Sequence, residues 1–181
     1  MSGTPGYVAI KDGSHFTATI EHVTDIAADR ERVWRALTDP ALVLIWDTGI
    51  VQAIDVPPDY PQPGQTVRWK YRLAGLPLIL VDRPQEVTRL ERLRTRIALG
   101  FLRFDETYTL ESLAGEPPRT RLSARLAVGN SLPVLGRAFD RWIGRNLASQ
   151  TVATSLRAIR ELCERDPRAD TGTGYDPTQS R

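Results

Sequence analysis

Between Thr66 and Val128 apolar and polar residues alternate with a period of two, and from about Pro133 the period lengthens to that of a helix. A chain that closes a run of strands with one long amphipathic helix must bury that helix against the strands. Thr66–Leu73 shows the alternation most cleanly. Val67, Trp69, Tyr71 and Leu73 fall on one face, and Arg68, Lys70 and Arg72 on the other, as in an antiparallel strand with one solvated face. Thr95–Phe101 points Thr95, Ile97, Leu99 and Phe101 inward. Phe104–Leu113 does the same with Phe104, Glu106, Tyr108 and Leu110, and Thr120–Val128 with Leu122, Ala124, Leu126 and Val128. Leu78–Leu90 reads as a long strand whose faces do not separate, and Pro84 within it predicts a bulge or an edge position.

The chain ahead of these strands carries its own signals. Phe16, Ala18, Ile20, His22, Thr24 and Ile26 alternate as a first strand. Asp29 suits a helix N-cap, with Glu31 in the first turn and Val33, Trp34 and Leu37 at helical spacing. Asp39-Pro40 stops this helix and opens a second short one, because proline is favoured at the first helical position. That helix ends near Trp46-Asp47, and Gly49 releases the chain into a strand at Ile50–Val56. At the other end, Leu135, Phe139, Ile143, Leu147, Val152, Leu156, Ile159 and Cys163 mark a long helix over Pro133–Glu164. The expected fold is α+β. A curved antiparallel sheet of about seven strands surrounds a long C-terminal helix, with two short helices after the first strand. A straight helix on a strongly curved sheet leaves a gap between them.

Residues 15–165 form the expected domain, between a flexible 1–14 and a disordered tail at 166–181. A single cysteine, Cys163, excludes an internal disulfide and a cysteine metal pair. His15 and His22 share no helical face with acids or cysteines, so no metal and no cofactor is expected. The 24 basic and 22 acidic residues leave a net charge of +2, with arginines scattered among acids, so no nucleic-acid partner is expected. No apolar run reaches the roughly 18 residues of a membrane-spanning helix. The first residues lack a secretory pattern, so the expected location is the cytoplasm. The oligomeric state stays open, a homodimer among the options.

Five stretches then carry a likeness. Ile26-Ala-Ala-Asp-Arg-Glu-Arg-Val-Trp-Arg-Ala-Leu-Thr-Asp-Pro40 resembles the opening of START-like domains, the superfamily of polyketide cyclases/dehydrases and lipid-transport proteins. Leu44-Ile-Trp-Asp47 is similar to its second-helix ending. Tyr108-Thr-Leu-Glu111 and Thr120-Arg-Leu-Ser123 are similar to its last hairpin, and Leu156–Leu162 to its long helix. The resemblance implies a helix-grip fold with a hydrophobic cavity between helix and sheet. The glycine-rich loop of the pollen-allergen branch is replaced here by PPDYPQPG.

Candidate chemistry rests on polar residues at inward phases. His22 stands between Ile20 and Thr24, either as a general acid/base or as a hydrogen-bonded core histidine. Glu106 and Tyr108 share one strand face. In an apolar cavity the carboxyl would have a raised pKa and could shuttle a proton, and the phenol could hold a ligand carbonyl. The other reading pairs Glu106 with an arginine such as Arg103 at the rim. Trp46, Trp69, Tyr71, Leu99, Phe101 and Leu126 are expected to contact a ligand, and Asn146 of the long helix to face either cavity or solvent. Three functions follow. The first is binding of a lipid, quinone or polyketide-like molecule. The second is a cofactor-free cyclase, dehydratase or aromatase using His22, Glu106 and Tyr108. The third is a protein-interaction module with a vestigial cavity.

Overall fold

The computed structural model describes residues 15–73, 75–130 and 149–165. Among them the chain runs β1 (His15–Ile26), α1 (Arg30–Thr38), α2 (Pro40–Trp46), β2 (Ile50–Asp55), β3 (Val67–Leu73), β4 (Leu76–Thr88), β5 (Arg92–Leu99), β6 (Leu102–Leu113), β7 (Arg119–Asn130) and α3 (Ser149–Glu164). The seven strands form one antiparallel sheet in the order β1-β7-β6-β5-β4-β3-β2. This is the expected α+β helix-grip arrangement. β2 to β7 follow one another as hairpins, whereas β1 and β2 lie at opposite edges. The segment holding α1 and α2 therefore crosses the sheet.

Local chemistry fixes that crossing. The Asp29 carboxylate accepts a 2.7 Å hydrogen bond from the Arg32 amide and caps α1. Asp39 closes α1 through its amide to the Arg35 carbonyl, and its carboxylate caps α2 through the Ala41 amide at 2.9 Å. Pro40 sits at the first turn of α2, where its missing N–H costs nothing. The indole Nε1 of Trp46 donates to the Ala36 carbonyl at 2.7 Å and pins the end of α2 to α1. Val33, Trp34, Ala36 and Leu37 fill the core from α1.

α3 packs on β1 and β7 and touches α1 and α2. Its apolar stripe is Val152, Leu156, Ile159 and Cys163, all buried as the helical spacing predicts. Burial pushes the Cys163 thiol up to about 11, so it behaves as a small core residue. The expected first half of this helix, 133–148, lies outside the described residues, as do 1–14 and 166–181. No helix among the described residues is long and apolar enough to cross a membrane.

Pro84 lies in an interior strand, at a bulge between Pro84 and Glu86. Its neighbour β3 has already ended, since the last β3 pair is Val67 with Asp82. No ladder partner is present on that side for a proline N–H to meet, and the Pro84 carbonyl accepts from Gly64 instead. β5 corrects one expectation. It ends at Leu99, and Phe101 lies in the turn to β6 with 39% of its surface exposed. The tight β5–β6 hairpin takes over where one more inward residue, Phe101, was expected.

Trp34 is 8% exposed in this core. Trp34→Ala should lower the unfolding free energy by roughly 3–5 kcal/mol, the range for a buried aromatic. A change at exposed Val23, such as Val23→Thr, should stay within about 0.5 kcal/mol. Urea titration of both variants checks this.

Candidate functional site

The gap between helices and sheet holds three adjoining spaces that share lining residues. The main chamber, about 120 Å³, lies between α2, α3 and the inner faces of β3 to β7. Leu80, Ile97, Leu99 and Leu102 supply the sheet wall, Phe104 and Leu126 continue it, and Val152 closes it from α3. An inner recess of about 60 Å³ continues toward Trp69, Tyr60 and Asp82. A groove of about 410 Å³ leads outward between the loop Asp47–Gly49 and the face of α3 that carries Thr151, Thr154 and Ser155. Trp46 and Asp47 border all three spaces.

Strand alternation places the polar groups. Glu106 and Tyr108 are two residues apart on β6 and so share its inner face. The Tyr108 hydroxyl donates to Glu106 Oε1 at 2.8 Å. Burial pushes the Glu106 carboxyl up to about 7. The Tyr108 hydrogen bond opposes that rise, and the charges of Asp47 and Asp82 add to it. Asp82 of β4 forms a second such pair. Tyr60 donates to its Oδ2 at 2.9 Å, and Thr95 of the adjacent strand donates to its Oδ1. Burial raises the Asp82 pKa, against the pull of both hydrogen bonds. Asp47 is raised by burial too, although its carboxylate accepts from the Gly49 amide at 3.0 Å. Tyr71 is pushed up to about 12 by burial, with Asp47 and Glu106 adding to the effect. Its ring lies so close to Gly49 that a Cβ there would sit 2.3 Å from the ring. Only glycine admits that approach.

Most of the residues singled out in the sequence border this cavity. Tyr108, Leu99 and Leu126 line the chamber. Tyr71 stands between chamber and groove. Trp69 forms the recess wall, edge-on to Tyr60 with ring centroids 6.3 Å apart. Phe101 lines none of the three spaces, because it occupies the exposed turn. His22 is half-buried on β1. It pairs with Ala124, which pairs in turn with Tyr108. Two strand spacings, roughly 9–10 Å, separate it from Tyr108, and it borders none of the three spaces. The fold does not bring His22 to Glu106. Asn146 lies outside the described residues. Asp82 and Tyr60 are additions. Arg83 was the signal for Asp82, since a charged residue beside Pro84 marks the outward phase and puts Leu80 and Asp82 inward.

Comparison with known proteins agrees with this fold. A family model described as polyketide cyclase/dehydrase and lipid transport matches residues 17–164. No curated protein matches the sequence. Among solved structures, a protein from Chromobacterium violaceum is similar at 22% identity, covering 82% of this chain and 98% of that one, with a TM-score of 0.63. A START superfamily protein from Mycobacterium smegmatis is similar at 16% identity, covering 79% and 97%, with a TM-score of 0.61. Truncated norcoclaurine synthase from Thalictrum flavum is similar at 10% identity, covering 91% and 99%, with a TM-score of 0.61. At these identities the likeness is one of fold.

The raised carboxyls make stability depend on pH in a stated direction. Glu106 moves from 4.5 to about 7 on folding, so between these values the native state holds the proton and the unfolded chain does not. Stability is fully present below the lower value and falls as pH rises through the upper one. Asp47 and Asp82 act in the same sense. The loss assigned to Glu106 should reach at most about 3 kcal/mol. Denaturant titrations from about pH 4 to pH 8 should show the decline, with a shallower slope in Glu106→Gln.

Proposed function

Since the chain belongs to the polyketide cyclase/dehydrase and lipid transport family, we propose that it binds a small hydrophobic molecule between its sheet and its C-terminal helix. The observation that carries this reading is the main chamber, walled by aliphatic and aromatic side chains and adjoining an outer groove. Apolar retention needs an enclosed apolar space with few placed polar groups. The Trp46 and Tyr71 rings offer flat surfaces to a cyclic ligand, such as a quinone, a lipid ring or a polyketide-like ring. The chamber suits the ring, and the groove leaves room for a chain or substituent to run outward.

Glu106 favours a second reading, in which the bound molecule also reacts without a cofactor. A carboxyl that titrates near 7 can take a proton from a carbon acid and return it to an oxygen. Tyr108, which donates to Glu106, would hold that carboxyl in place. Cyclisation or dehydration of a polyketide-like chain requires these two operations. His22 enters neither, because of its distance across the sheet.

One set of variants tests both. Leu126→Trp fills the chamber and should weaken binding of an uncharged anthracene probe by about tenfold or more. Glu106→Gln should leave that affinity within about threefold, while lowering any turnover of a poly-β-ketone mimic by roughly 10²–10⁴. Failure of the unmodified protein to bind the probe would sink the binding reading. Equal turnover in Glu106→Gln would remove the acid/base role and leave a binder.

A further inference from the structure

The inner recess differs from the rest of the cavity in the kind of hydrogen bond it can still make. We propose that it is a subsite for a protonated amine, so that the ligand is an apolar ring carrying a basic nitrogen that points inward. The inference rests on the binding reading above and adds the polar end of the ligand. The cavity is the site, and the recess groups decide which polar end enters it.

Apart from the Trp69 indole N–H, the side-chain donors around the recess are engaged. The Tyr108 hydroxyl hydrogen goes to Glu106, those of Tyr60 and Thr95 go to Asp82, and the Trp46 N–H goes to the Ala36 carbonyl. What these groups still present inward is lone pairs, on both carboxyls and on the phenol oxygens. Above about pH 7, where Glu106 is ionised, a ligand carbonyl or carboxylate would meet chiefly acceptors. An ammonium brings three donors and a charge of the complementary sign. The described residues lining chamber and recess include Asp47, Asp82 and Glu106 and no lysine, arginine or histidine. Arg72 borders only the outer groove.

Size and surroundings agree. About 60 Å³ in the recess holds a few heavy atoms, the bulk of an aminomethyl group, while the adjoining chamber takes the ring. Among the described residues no three carboxylate, histidine or cysteine groups are arranged to hold a metal ion, which leaves an organic cation. The charges of Asp47 and Asp82 disfavour ionisation of Glu106. A cation among them reverses that effect and draws the Glu106 proton off, so binding and ionisation are linked.

The test compares three probes of one shape on the unmodified protein: 2-naphthylmethylammonium, 2-naphthylmethanol and 2-naphthoate. At about pH 8.5 the ammonium should bind roughly tenfold or more tighter than the alcohol, and the carboxylate weakest. Toward about pH 5.5 the ammonium should lose most of that advantage as Glu106 takes its proton, while the alcohol stays level. Calorimetry near pH 7, in buffers of different ionisation enthalpy, should show proton release with the ammonium alone. Glu106→Gln and Asp82→Asn should each erase the preference for the ammonium over the alcohol. Should either variant fail to fold, the probe and pH comparison on the unmodified chain decides by itself. Equal binding of ammonium and alcohol at about pH 8.5, or tightest binding of the carboxylate, overturns this inference and leaves the hydrophobic binder standing. Binding of none of the three overturns both.

Discussion

The two edge strands of this sheet are neighbours in the chain, and the fold is organised around that constraint. β1 and β2 are separated by the whole width of the sheet, so Ala27–Gly49 must span it. A bare loop could not do so and keep its backbone groups satisfied in the core. Two short helices can, because each satisfies its own backbone and buries one face. Asp39 ends one and begins the other, which sets the angle between them with a single residue. The Trp46 indole then ties the second helix back to the first. Once that strap is in place, α3 rests on β1, β7, α1 and α2. Among the described residues α2 and α3 stand off from the inner faces of β3 to β6, and the space left there is the cavity.

The cavity floor is unusual in how it handles charge. Isolated buried carboxylates are costly, and the common remedy is an arginine partner. That remedy is used on the opposite face of the sheet. There Arg94 grips Asp105 through two 2.8 Å contacts, and Arg121 grips Asp25 across the β1–β7 pair. Inside the cavity tyrosines take this place. A phenol gives one hydrogen bond and no charge, so burial still raises the pKa of both acids. One sheet thus holds two populations of carboxyl groups, one paired with arginines and one hydrogen-bonded to tyrosines.

How much of this was legible depended on how far each residue's partners lie along the chain. Strand faces follow from alternation alone, and β3, β6 and β7 came out as read. The caps at Asp29 and Asp39 are local and were equally readable. Phe101 was misplaced because a hairpin of minimal length ended β5 two residues earlier than the alternation implied, and periodicity carries no stop signal. Asp82 escaped because β4 has apolar residues on both faces until Arg83 breaks the symmetry. Tyr60 escaped because it sits in a proline-rich loop, and only the folded chain brings it to Asp82, 22 residues away. His22 and Glu106 both point inward, as read, but sharing a face says nothing about distance across it. Two strand spacings separate a catalytic pair from two unrelated residues.

Gly49 has a consequence for how such a protein can diversify. The Tyr71 ring rests on its bare backbone, at the boundary between chamber and groove. Any side chain at that position must displace the ring, toward the chamber or toward the groove. The first would shrink the enclosed volume and the second would narrow the passage. Either outcome retunes which molecules are held and how quickly they leave, without altering a single inward-facing residue of the sheet. The selectivity of the cavity is thus partly written in a loop position that has no side chain with which to contact its contents.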